Sequence, residues 1–285
     1  MPELPEVETV VRGIRPHIEK HRIVKVELRR ADLRIPFPKD FVKRVEGAEI
    51  VGVSRRAKYI LMPLNSGETL VIHLGMSGTL VFRNYSISVS EGEGFKKHDH
   101  VVFTLDDGKK LVFNDPRRFG LMELVKNTKT HSLFSHLGAE PLEKTFNSAT
   151  LEDSLRTRKA PIKTAIMDQK IVVGVGNIYA SESLFLAHIS PLRPANALKK
   201  QEYQALAEAI KTTLKAAIKS GGSTLRDFVR SSGDSGYFQH HFNVYGRENK
   251  PCLCAAQHGI LKITPLVKKI TQQGRATYYC CKCQK

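Results

Sequence analysis

Pro2 and Glu3 are the residues best placed for covalent chemistry. Met1 is commonly removed before a small residue, and its loss leaves a free secondary amine on Pro2 beside a carboxylate. An α-amino group titrates near about 7.7–8.0, against about 10.4 for a lysine. At neutral pH it is partly unprotonated and able to attack a sugar carbon. The residues that follow suit a helix that holds this amine still: Pro5 fits a first turn, Glu6 and Glu8 complement the positive end of the dipole, and Leu4, Val7, Val11 and Ile14 recur at helical spacing. Taken alone, the same stretch also reads as an ordinary capped surface helix.

A second centre lies in the tail. All five cysteines, Cys252, Cys254, Cys280, Cys281 and Cys283, fall after residue 250, a clustering that in a cytosolic chain reads as metal binding rather than disulfides. Cys280-x-x-Cys283 has the spacing of a zinc knuckle. Cys252 and Cys254 have only one residue between them, and 25 residues separate Cys254 from Cys280. Four thiolates on one zinc ion are expected. His258 is an alternative to Cys254, and Cys281 is either spare or a substitute ligand.

Other residue groupings suit contact with a polyanion. Gly75-Met76-Ser77-Gly78 puts a long apolar side chain in a glycine turn, the form of a wedge that enters a DNA stack, though Met76 folding back on its own sheet is the simpler reading. Asp115-Pro116-Arg117-Arg118-Phe119-Gly120 pairs guanidiniums with an aromatic ring, which suits phosphate or base-edge contact or a solvated turn with Phe119 in the core. His98-Asp99-His100 fits a phosphate contact better than a metal. Asn177 is expected to cap a helix over 178–187, leaving amides free for a phosphate, with Lys159 and Lys163 nearby.

The elements that must position these groups divide the chain. Alternation predicts strands over 23–28, 48–53, 55–62 and 69–74 and a hairpin at 101–113, with an irregular mobile loop at 85–95. Near residue 140 the period changes from two to 3.6. Helices are expected over 150–158, 162–170, 178–187 and 203–217, the last stopped by Gly221-Gly222, with a short basic helix at 226–230 and a loop at 231–238 able to close over a base. The fold class is α+β, with domains at 1–140, 141–245 and 246–285. Lys and Arg number 45 against 28 Asp and Glu, a net charge of +17, which points to nucleic acid as the first candidate partner, with an anionic membrane as the rival. No apolar run reaches the length of a membrane span and no signal peptide opens the chain, so a cytoplasmic protein is expected.

Seven motifs in order resemble formamidopyrimidine-DNA glycosylase: Met1 to Thr9, Arg56-Ala57-Lys58-Tyr59, His73 to Gly78, Lys97 to His100, Asp115 to Gly120, Gly174 to Glu182, and Gly274 to Cys280. The resemblance implies an N-terminal β-sandwich, a helix–two-turns–helix domain and a C-terminal zinc ribbon, acting as a monomer on double-stranded DNA that contains a damaged base. It implies that Pro2 attacks C1′, Glu3 donates a proton, Lys58 assists β-elimination and Arg275 serves δ-elimination. It gives Met76, Arg117 and Phe119 the filling of the gap left by the extruded base, and His98, Arg117, Lys159 and Asn177 the holding of phosphates. It also implies zinc on Cys252, Cys254, Cys280 and Cys283, although the family's first pair is C-x-x-C with a shorter gap to the second. Two alternatives stand beside excision of oxidised purines: the sister activity on oxidised pyrimidines, and DNA binding without chemistry.

Overall fold

The computed structural model describes residues 1–83, 95–223, 236–254 and 265–285. Most of the irregular segment at 85–95, the basic stretch 226–230, most of the loop 231–238, and His258 lie outside these. The chain forms two compact units, one of residues 1–135 with 220–237, the other of 136–219 with 238–285.

The first unit opens with helix α1 (Leu4–Ile18), which has proline in its first turn as expected. Leu4, Val7, Val10, Val11, Ile14 and Ile18 are each at most 1% exposed. Burying six such side chains contributes on the order of 10 kcal/mol before chain entropy is subtracted. That exceeds the roughly 3 kcal/mol cost of a proline inside a helix, and α1 tolerates Pro16 near its end.

Strand β1 (Ile23–Leu28) is followed by the short helix α2 (Phe41–Val45), then β2 (Ser54–Arg56), β3 (Tyr59–Pro63), β4 (Thr69–His73), β5 (Thr79–Arg83), β6 (Asp99–Leu105), β7 (Lys110–Asn114) and β8 (Leu121–Val125). They build two antiparallel four-stranded sheets, ordered β1-β6-β7-β5 and β2-β3-β4-β8. Ile23, Phe103 and Phe113 of the first sheet and Ile60, Ile72 and Met122 of the second join the inner face of α1 in one core. The result is the expected sandwich.

Two strand expectations need correction. Residues 48–53 form only isolated bridges, Arg22 to Glu49 and Ile50 to Leu64. Nor is 55–62 one strand. Arg56 pairs with Tyr59 across a two-residue turn in which Ala57 has φ +54°. A left-handed alanine costs about 1–2 kcal/mol, so no local signal announces this turn. Tertiary contacts supply the compensation: Ala57 is 2% exposed and its carbonyl accepts the Arg55 guanidinium at 2.8 Å.

In the second unit, α3 (Ser148–Leu155), α4 (Ile162–Ile166), α5 (Asn177–Leu186) and α6 (Lys200–Lys219) are followed by the hairpin β9 (Lys268–Gln272) and β10 (Arg275–Tyr279). Helix α4 is one turn long rather than the nine residues expected. Helix α6 ends before Gly221 and Gly222, which take φ +74° and +77°, a backbone conformation glycine adopts freely. Gln273 and Gly274 both have positive φ, the requirement of a two-residue hairpin turn. Among the described residues, no helix is long and apolar enough to cross a membrane.

Candidate active site and nucleic-acid interface

Pro2 is buried and Met1 is 47% exposed. Glu3, at the N-cap of α1, and Glu6, in its first turn, are 3% and 2% exposed. Burying a carboxylate is costly unless it is hydrogen-bonded. Both oxygens of Glu6 are used: one accepts the Glu3 amide at 2.9 Å, and the other accepts the Ser223 amide at 2.8 Å and its hydroxyl at 3.1 Å. The first turn therefore cannot rotate about its axis without stranding a buried charge.

Lys58, 7% exposed, occupies the β2–β3 turn. That turn is tied to α1 at several points. Arg15 donates two bonds to the Val53 carbonyl, Glu19 accepts the Val53 amide, and Glu8 accepts Arg55, which also holds the Ala57 carbonyl. Helix α1 thus carries Pro2 and Glu3 at one end and clamps the lysine hairpin along its side.

Met76 is half-buried in the turn after β4. This turn is packed backbone to backbone on the loop that carries Arg117 and Phe119: a Cβ on Gly75 would stand 2.3 Å from the Phe119 carbonyl carbon. The organiser is Asp115, fully buried, a residue the sequence reading passed over in favour of its basic neighbours. Its carboxylate accepts the Ser77 hydroxyl at 2.7 Å, the Arg117 amide at 3.3 Å and the Gly120 amide at 2.8 Å. Its amide reaches the His98 carbonyl, and its own carbonyl accepts His100 Nε2 at 2.8 Å. Phe119 is 46% exposed, with the Arg117 guanidinium 4.9 Å from its ring centroid. A half-buried methionine, an exposed aromatic ring and an arginine are held together by one carboxylate.

His98 is half-buried beside His100. Asp99 between them is occupied by the Lys96 amide, Asn114 and Arg83, so this triplet is not a metal site. His73 lies beside the same turn. Its Nδ1 accepts the Gly75 amide at 3.0 Å, and burial, reinforced by the charges of Lys58 and Arg34, lowers its pKa to about 4.

In the second unit Lys159 is exposed between α3 and α4. Asn177 does not cap α5; Gly176 takes that position. The Asn177 side chain is drawn away by distant partners, donating to the Ala276 carbonyl at 2.9 Å and the Tyr245 hydroxyl at 3.3 Å and accepting Lys163 at 2.5 Å. Lys163, only 1% exposed, is part of the fold rather than a surface phosphate ligand. Arg275 is exposed at the start of β10, opposite Gln272. Glu182, another buried acid not singled out in the sequence, gathers the amides of Asn243, Val244 and Tyr245.

Cys252, Cys280 and Cys283 bring their sulfurs within 4.8 Å of one another, with Cys252 and Cys280 each 3.6 Å from Cys283. Sulfurs at the corners of a zinc tetrahedron stand about 3.8 Å apart, given Zn–S near 2.3 Å. Cys254 is buried in the same cluster with Val244 and Val267. Burial pushes the Cys252 and Cys283 thiols up, while Cys280 is lowered by hydrogen bonds from the Cys283 and Lys282 backbone against its own burial, so Cys252 and Cys283 need a cation to ionise. These residues fit zinc. Cys281 faces solvent and is not a substitute ligand.

Two outcomes follow from this geometry. Asp115→Ala strands three donors and is expected to cost about 3–5 kcal/mol by urea denaturation; Asp115→Asn, which turns a donor toward the Gly120 amide, should cost roughly half as much. His73 binds its proton less readily folded (about 4) than unfolded (6.5). Stability is therefore lost as pH falls through this window, by up to about 3 kcal/mol. His73→Asn keeps an acceptor for the Gly75 amide, so its stability relative to the parent should rise by that amount between pH 6.5 and 4; parallel curves would refute the assignment.

The chain matches the formamidopyrimidine-DNA glycosylase N-terminal domain over residues 1–122 and the formamidopyrimidine-DNA glycosylase H2TH domain over 137–229. It is 46% identical over 290 residues to the formamidopyrimidine-DNA glycosylase of Dinoroseobacter shibae, covering 100% of both chains. Among solved structures it is similar to the MutM (Fpg) protein of Thermus thermophilus, with a TM-score of 0.84 at 35% identity over 99% of this chain and 98% of that one. A Lactococcus lactis Fpg mutant in complex with Fapy-dG-containing DNA gives a TM-score of 0.86 at 30% identity over 100% of each chain. With both domain types matched and relatives similar from end to end, this chain belongs to the formamidopyrimidine-DNA glycosylase family.

Proposed function

We propose that this protein is a bifunctional DNA glycosylase and AP lyase of base excision repair, acting on double-stranded DNA that contains an oxidised purine. The observation that carries the reading is a buried Pro2 and Glu3 on a pinned helix terminus, in a chain 46% identical along its length to a formamidopyrimidine-DNA glycosylase. It acts as a monomer in the bacterial cytoplasm, at the nucleoid.

Once Met1 is removed, the Pro2 nitrogen forms a bond to C1′ while the glycosidic bond breaks and its electron pair leaves with the base. Glu3 protonates the ring oxygen, the sugar opens, and a C1′ iminium links enzyme to DNA. Loss of a C2′ proton, assisted by Lys58, expels the 3′ phosphate; a second elimination, served by Arg275, expels the 5′ phosphate. Met76 and Phe119 fill the gap left by the extruded nucleotide, whose unstacking costs a few kcal/mol. Arg117 meets the orphaned strand, and His98, Lys159 and Asn177 hold phosphates. Cys252, Cys254, Cys280 and Cys283 would hold one structural zinc ion, which would cross-link the segment before β9 to the end of the hairpin that bears Arg275.

Borohydride reduces the iminium to a stable amine, so treatment with lesion DNA should trap a covalent adduct on the Pro2 peptide. Pro2→Gln, which also keeps Met1 in place, should lower strand scission by at least about a thousandfold; undiminished scission would sink the mechanism. Elemental analysis should find one zinc per chain, kept in Cys281→Ser and lost in Cys254→Ser. Retention in the latter would remove Cys254 from the ligand set.

A further inference from the structure

Lys163 is a long cationic side chain that is costly to bury without partners. It is 1% exposed, on α4, and its ammonium reaches the first residue of α5, where the helix dipole is already positive. Three of its bonds converge on two places. Nζ donates to Asn177 Oδ1 at 2.5 Å, to Thr277 Oγ1 at 2.8 Å and to the Ala276 carbonyl at 3.2 Å. The Ala276 carbonyl also accepts Asn177 Nδ2 at 2.9 Å, and Thr277 Oγ1 passes the chain on to Gln272 Oε1 at 2.9 Å. Gln272 is the residue that pairs with Arg275 across the hairpin. One buried ammonium therefore grips both residues that follow Arg275 and, through Thr277, the residue opposite it.

We propose that Lys163 is a positioning residue for the second elimination: it fixes the β9–β10 hairpin on the start of α5, so that Arg275 and Asn177 address one stretch of DNA backbone as a rigid pair. This rests on the lyase reading above. Lys163 does not itself touch the reacting atoms. Glu6 holds the Glu3 amide and Ser223, while Lys163 holds Asn177, Ala276 and Thr277, so its loss is expected to spare the Pro2 nucleophile. Its effect falls on the step that Arg275 serves.

The experiment compares the parent protein, Lys163→Met and Thr277→Val on a duplex with a single abasic site. It measures the borohydride-trapped adduct and the ratio of δ- to β-elimination products. Lys163→Met is expected to keep trapping within about twofold of the parent while the ratio falls by about tenfold, the scale of loss that a small misplacement produces. Thr277→Val, which removes one anchor and leaves the charge, should lower the ratio several-fold. A merely structural lysine would reduce trapping and both products together, and that result, or an unchanged ratio, overturns the proposal. If Lys163→Met does not fold, Thr277→Val decides on the same criterion. Absence of any adduct with the parent protein would instead refute the lyase reading and this inference with it, and is told apart by that control.

Discussion

Two carboxylates buried within one helical turn set the terms for the first unit. Glu3 and Glu6 cost several kcal/mol to desolvate, and the Glu3 amide and Ser223 help Glu6 to recover that cost. A helix end frays by default. Here fraying would expose Leu4 and would also break a charged network, and both penalties keep the terminal residues ordered. The nucleophile is thus held by polar satisfaction at its own turn and by apolar burial further along α1.

The same device recurs. Asp115 gathers the wedge turn and the arginine–phenylalanine loop, and Glu182 gathers the amides of 243–245, whose Tyr245 meets Asn177. In each case a buried carboxylate accepts backbone amides from segments with little regular structure of their own. Charge-assisted bonds of this kind are about twice as strong as neutral ones. They are also intolerant: removing the acceptor strands several donors at once. Rigidity in these loops is carried by a few acids, while the exposed basic residues around them remain available for a polyanion.

Sequence periodicity revealed the elements that bury a face. Helix α1, strand β1, the β6–β7 hairpin and helix α6 stand where their apolar spacing puts them, and the tail cysteines converge as their clustering implies. What escaped was set by partners far away in the chain. Ala57 takes a left-handed turn because Arg55 and burial hold it, although neither Gly nor Asn marks the spot. Asn177 has the right chemistry for a helix cap, but Lys163 and the Ala276 carbonyl, 99 residues on, compete for its side chain. Asp115 sat in plain view in a motif whose arginines and phenylalanine drew attention. An acid whose oxygens accept from neighbouring turns leaves no pattern with a period.

The contact between Ser223 and Glu6 has a counterpart just beyond it. The Ser220 carbonyl accepts the Tyr237 amide, and Gly236 approaches Gly222 so closely that a Cβ would stand 2.4 Å from its oxygen. Ser220 and Gly222 on one side and Gly236 and Tyr237 on the other therefore meet in a single clasp. The close approach leaves no room for a side chain at position 236, so a substitution there would push on the segment whose Ser223 holds the first turn of α1.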